Sequence, residues 1–155
     1  MSSSARRRIL HDFRNFSRDP PDYVMAAPHE EDLMHWAGVI IGPPDTLWEG
    51  GTFQLDIVFD ESYPARPPKV KFVTDLFHPN VYKNGDICLD ILQKRWTAAY
   101  SIGPILTSIQ SLLTEPNPAS PANSEAANLF VNDKAAYEQR VKACVKRSWE
   151  ETLND

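Results

Sequence analysis

A chain of 155 residues, 42% hydrophobic and 24% charged, has the makeup of a globular protein, and residues 1–155 are expected to fold as one domain. The net charge of −5 gives no ground for direct nucleic-acid binding, and no apolar run approaches the roughly 20 residues a membrane span needs. None follows Arg6, Arg7 and Arg8 as an ordinary secretory signal would require, so a reducing setting is expected, with Cys88 and Cys144 unpaired.

Ile9, Phe13 and Phe16 recur at helical spacing and predict a helix over 4–17, stopped by Asp19-Pro20-Pro21-Asp22. Strands are predicted over 24–27, 34–41, 52–59 and 70–72. The third is the clearest, with Phe53, Leu55, Ile57 and Phe59 alternating with Gln54, Asp56 and Val58. Proline-rich turns separate them, which predicts an antiparallel meander with one buried face. Residues 75–100 hold neither period, and a long irregular stretch inside a compact domain is often functional. Ile102, Ile105, Leu106, Ile109, Leu112 and Leu113 then form a helical stripe, with Ser101 as its expected N-cap. A short helix over 121–130 and a last one from about Asp133 follow. The last places Tyr137, Val141, Cys144, Val145 and Trp149 on one face. The fold class is therefore α+β: an N-terminal helix, a four-stranded meander, a long active-site loop, then helices.

The two cysteines differ in setting. Cys144 falls on an apolar stripe and reads as core, whereas Cys88 stands in the irregular segment, in Asn84-Gly85-Asp86-Ile87-Cys88-Leu89-Asp90. A hydrolytic cysteine needs a histidine base. Of the four histidines only His78 is near in sequence, and between Phe77 and Pro79 it reads as a loop anchor. Thioester exchange has no such need, because one thiolate displaces another much like it. Zinc-spaced Cys/His clusters and Gly-rich phosphate loops are absent from the sequence.

His78-Pro79-Asn80, eight residues before Cys88, resembles the His-Pro-Asn motif of the ubiquitin-conjugating enzymes. Tyr63-Pro64, Pro67-Pro68, the run Gly85 to Leu92, Trp96, the run Ser108 to Leu113 and Glu115-Pro116-Asn117-Pro118 surround it in the family's order. The likeness runs from about Arg7 to Trp149 and is greatest for the DNA-repair and histone-ubiquitinating branch, through Ser2 to Arg8, Phe77 to Tyr82, Ile105 to Leu113 and Asn117 to Asn123.

The resemblance implies that Cys88 accepts ubiquitin from the activating enzyme as a thioester and passes it to a lysine, usually with a RING-type ligase. Asn80 would order the loop or donate to the oxyanion. Tyr82, Asp90 and Ser120 would border the lysine approach, or else serve loop packing and capping; Ser120 before Pro121 has the form of an N-cap. Trp96 reads as a plug beneath the loop. Docking of the activating enzyme and ligases would fall to Arg7, Arg8, His11, Ala65, Thr97 and Ala98, where Ala65 replaces a larger apolar residue and Thr97-Ala98 a common Ser-Pro. The implied partners are ubiquitin, the activating enzyme, ligases and protein substrates, histones or DNA-repair factors among them. The chain itself would need no cofactor, ATP being used by the activating enzyme. It would act as a monomer in cytoplasm and nucleus, away from membranes. A ubiquitin-binding variant without the cysteine is disfavoured by Cys88. A different ubiquitin-like modifier, or a cysteine hydrolase, would be told apart by charging assays and by turnover of a small ester.

Overall fold

The stripe that begins at Ile9 forms a helix because its apolar residues fall on one side of the turn. In the computed structural model, which describes residues 3–154, α1 spans Ser4–Arg18. Ser2, the first residue of the likeness to the DNA-repair and histone-ubiquitinating branch, lies outside the described residues. The Ser3 hydroxyl accepts from the Arg6 amide at 3.1 Å and satisfies one of the four orphan N–H groups at the helix start. Ala5, Ile9 and Phe16 face the core, and so does Asp12.

Four strands follow, β1 Val24–His29, β2 Asp32–Ile41, β3 Thr52–Val58 and β4 Lys69–Phe72. They lie in the order β1-β2-β3-β4, and every neighbouring pair is antiparallel, which is the expected meander. Phe53, Leu55 and Ile57 point inward with Trp36 and Ile40 of β2 and Val70 and Phe72 of β4. Lys69 and Lys71 point outward, as a period of two requires. Against the buried face stand α1 and α2, Ile102–Thr114, whose whole predicted stripe from Ile102 to Leu113 is buried. Pro104 lies in the first turn of α2, where its missing N–H costs nothing. Helices α3, Ser124–Asn132, and α4, Lys134–Asn154, complete the fold. Among the described residues no helix is long and apolar enough to cross a membrane.

Three local expectations are corrected. Helix α3 starts at Ser124, not near Pro121. Its cap is Asn123, whose side chain accepts from the Ala126 amide at 3.0 Å, so Ser120 caps nothing. Asn123 and Ser120 are both good caps by type, and the pair of amides that bind the Pro79 carbonyl, Ala122 at 2.7 Å and Asn123 at 3.0 Å, holds the preceding turn out of the helix. Ser101 stands at the N-cap of α2 but makes no side-chain cap bond. Trp149 is exposed rather than core, its indole N–H donating to the Gly50 carbonyl.

The segment after β4 is irregular in sequence but fixed in space. Val81 bridges Ile87, and the turn between them is closed by Tyr82 N–Asp86 O and Gly85 N–Tyr82 O, both 2.9 Å. The tip docks on β4 through Phe72 N–Gly85 O at 2.9 Å. Gly85 has φ +95°, and a Cβ there would sit 2.0 Å from the Phe72 carbonyl oxygen. Gly85→Ala is therefore expected to cost about 2–3 kcal/mol, read as a drop in the urea midpoint. Gly103→Ala in α2, where the nearest atom is 3.7 Å from the new Cβ, should be neutral or up to about 1 kcal/mol stabilising in the same assay.

Candidate active site

A loop can hold a nucleophile steadily only if its backbone polar groups find partners. Here main-chain bonds within the loop supply many of them, and two buried polar side chains tie the loop to α2 and to the 117–120 turn. His78 is fully buried; its Nδ1 accepts from the Asn80 amide at 2.9 Å, and its Nε2–H donates to the Leu112 carbonyl of α2 at 2.7 Å. Both ring nitrogens are used, so the imidazole is a neutral strut. Burial pushes its pKa down to about 4, against the smaller opposing pull of the Leu112 and Leu113 carbonyls. It cannot serve as a base for Cys88, as its place between Phe77 and Pro79 predicts.

Asn80, 1% exposed, makes three side-chain bonds. Its Nδ2 donates to the carbonyls of Asn117 at 2.8 Å and Ser120 at 3.0 Å, while its Oδ1 accepts from the Asn117 amide at 2.7 Å. Its own carbonyl accepts from the Cys88 amide at 2.8 Å. One residue thus joins the cysteine to the 117–120 turn. Cys88 is half-buried, and among the described residues no side chain hydrogen-bonds its sulfur. Cys144 is fully buried on α4 beneath the Asp75 carbonyl, and burial pushes its thiol up, so it stays protonated and inert.

The remaining expected residues divide. Tyr82 is exposed at the hairpin, Asp90 is exposed at the start of a 3-10 turn, Asp90–Leu92, and Ser120 is exposed in the braced turn. Ser120 contributes its carbonyl to the frame, not its hydroxyl. The carboxylate of Asp90 lies 3.7 Å from the Arg95 guanidinium, a solvated pair of little energetic weight. Arg7, His11, Ala65, Thr97 and Ala98 are all exposed. Arg8 departs from the expectation of a docking residue. Its guanidinium turns inward to Asp12 at 2.9 Å and to the Tyr100 carbonyl at 2.9 Å, and it lies over the Tyr63 ring. Asp12 also accepts from the Tyr63 hydroxyl, so reversing the charge at Arg8 would strand a buried carboxylate.

Rings carry this order onward. Phe13, Trp36, Phe59, Tyr63, Trp96 and Tyr100 form a continuous series with centroids 4.7–6.1 Å apart, running from α1 through the sheet to the loop beyond Cys88. Trp96 is the expected plug, its indole N–H donating to the Pro64 carbonyl at 2.9 Å. Sequence reasoning assigned no role to Asn117 or Asp12. Asn117 stands in a segment recognised for its family likeness, but nothing in its type shows that its backbone is the partner. Asp12 lies three residues after Ile9 on the apolar side of α1, and that placement was the available signal.

The strut has a pH signature. His78 binds its proton only near pH 4 when folded but near 6.5 when unfolded, so the unfolded chain takes up the proton first as pH falls. The stability is fully present above about pH 6.5 and declines toward pH 4, by roughly 3 kcal/mol in all. His78→Gln should be less stable at pH 7 yet show a shallower loss between pH 6.5 and 4.5, measured by urea denaturation across that range.

The profile described as "Ubiquitin-conjugating enzyme" matches residues 8–145. Three curated relatives carry the name "Ubiquitin-conjugating enzyme E2 2". The protein of Eremothecium gossypii is 56% identical over 155 residues, covering 100% of this chain and 91% of its own. That of Saccharomyces cerevisiae is 56% identical over 153 residues, 99% of this chain and 89% of its own. That of Trichoderma harzianum is 53% identical over 151 residues, 97% and 100% respectively.

Proposed function

Because this chain belongs to the ubiquitin-conjugating enzyme family, and so is a ubiquitin transferase, we propose that Cys88 is the residue on which it carries ubiquitin. The observation that carries the assignment is the contrast of the two thiols. Cys88 is accessible and tied by its amide to a fixed Asn80, while Cys144 is sealed in the core. Loading is a thiol exchange. The Cys88 thiolate attacks the thioester carbonyl of ubiquitin on the activating enzyme; a new C–S bond forms, and that enzyme's thiolate leaves. Discharge is aminolysis. A neutral lysine amine attacks the same carbonyl, the C–N bond forms, the nitrogen loses a proton to solvent, and the Cys88 thiolate departs. Neither step needs a strong base beside the sulfur, which agrees with a His78 locked as a neutral strut and speaks against hydrolysis.

Asn80 acts in this reading by bracing. Both of its N–H donors are committed to the 117–120 turn, and an oxyanion role would require one to be released. Tyr82, Asp90 and Ser120 form the rim that an incoming lysine meets, and Arg7, His11, Ala65, Thr97 and Ala98 the surface offered to the activating enzyme and ligases. Histones and DNA-repair factors are the proposed substrates, on the likeness of Arg6 to Arg8 and of 105–113 and 117–123 to that branch, with the protein working in cytoplasm and nucleus. ATP stays with the activating enzyme.

With activating enzyme, ATP and ubiquitin, the wild-type chain should form one adduct that reducing agent removes. Cys88→Ser should load slowly into a thiol-resistant oxyester, and Cys144→Ser should load like wild type. Loss of loading in a folded Cys144→Ser chain would overturn the assignment.

Asn80→Ala should lower the stability read by denaturation by about 2–3 kcal/mol, since it breaks three part-buried bonds to main-chain groups of Asn117 and Ser120. It should also slow discharge of preloaded ubiquitin to free lysine more than it slows loading, because the turn it braces borders the rim. A discharge loss on the order of 100-fold with an unchanged midpoint would make Asn80 an oxyanion donor instead.

A further inference from the structure

The face of the sheet turned away from the buried core carries a cluster that the transfer reaction does not use. In the β2–β3 ladder His35 faces Val58 and Ala37 faces Asp56, so His35 and Asp56 are diagonal neighbours on the outer face. The His35 ring hydrogen-bonds the Asp56 carboxylate. The β1–β2 register shifts between Pro28 and His29, a change that re-aims the last side chain of β1. The His29 ring stands 4.2 Å from that of His35, tilted by 51°. One donor atom from each of the three residues lies within 4.8 Å of the other two. His29 is exposed, and His35 and Asp56 are partly so.

We infer that His29, His35 and Asp56 form a binding site for a divalent transition-metal ion of the zinc class. A His–Asp pair alone is an ordinary cross-strand contact; the third donor, from a separate strand, is what makes a chelate. Two imidazoles and a carboxylate are a familiar zinc donor set, with the fourth position left to water. Bonds of about 2.0–2.1 Å in a tetrahedron put ligand atoms about 3.3 Å apart. The observed donor spacing, within 4.8 Å, exceeds that by up to about 1.5 Å, and the side chains of His29, His35 and Asp56 would close it. Magnesium and calcium prefer all-oxygen shells and fit poorly. The surrounding charges are mixed. Lys71 faces Asp56 across the β3–β4 ladder and Lys69 faces Val58, while Glu30 and Glu31 occupy the turn next to His29 and Asp32 opens β2. The rival soft ligand is the Cys88 thiol, which lies on a different element.

The test is calorimetric titration of the metal-free full chain with zinc chloride, together with visible spectra of the cobalt(II) form. One ion per chain is expected, with a cobalt band of tetrahedral intensity, a raised thermal midpoint and no heat with magnesium. His29→Ala, at an exposed position, and Asp56→Asn should each weaken zinc binding at least tenfold and abolish the thermal shift. Cys88→Ser should bind zinc as wild type does. Undiminished affinity in the His29→Ala chain, or loss of the ion in Cys88→Ser, would overturn the site.

Discussion

The fixed position of Cys88 depends on a polar constraint rather than an apolar one. Residues 75–100 have no continuous ladder or helix to pair their backbone, and unpaired buried amides and carbonyls would each cost on the order of 1–3 kcal/mol. Main-chain bonds within the segment, such as Cys88 N to Asn80 O, remove much of that cost, and the side chains of His78 and Asn80 tie the segment to its neighbours. One reaches inward to the end of α2, the other outward to the 117–120 turn, and between them the chain is held from both sides. The two use different chemistry for the same end. Burial keeps the imidazole uncharged, and a carboxamide is uncharged by nature, so the thiol is framed without any fixed charge from its supports.

The surface beyond the cysteine depends on a second arrangement. Tyr63 receives the Arg8 guanidinium on its face and donates its hydroxyl to Asp12, while Trp96 lies against its ring and binds the Pro64 carbonyl. Burial, then the bond to Asp12, pushes the Tyr63 hydroxyl up, so it remains a donor at any ordinary pH. Helix α1, the proline turn and the loop around Trp96 are consequently joined to one another by direct side-chain contacts. The exposed residues proposed for docking, Arg7, His11, Ala65, Thr97 and Ala98, lie on those three segments.

Elements with a clean period were legible from the sequence. The alternation in β3 and the stripe of α2 gave both type and facing, because burial on one side imposes the period directly. What failed were choices between chemically equivalent neighbours. Ser120 and Asn123 are both caps by type, and only the Pro79 carbonyl, distant in sequence, decides between them. Arg8 and Arg7 differ by one step around a helix, which turns one to Asp12 and leaves the other exposed. Asn80 was legible as a residue that orders the loop or donates to an oxyanion, but the atoms it binds were not, since they are main-chain atoms 37 and 40 residues away. The motif in the loop was readable; the loop's architecture was not.

Main-chain partnership has an evolutionary consequence. Ser120 meets Asn80 through a carbonyl that every amino acid possesses, and Asn117 is bound at both its amide and its carbonyl. The side chain at 120 is thereby released from any duty to the frame and stands exposed at the rim. Mutational drift can rewrite charge, size or phosphorylatability at that position while the cysteine stays where it is. On the proposed reading, in which residue 120 borders the lysine approach, substrate preference becomes evolvable at one position while the inherited frame around Cys88 is insulated from the experiment.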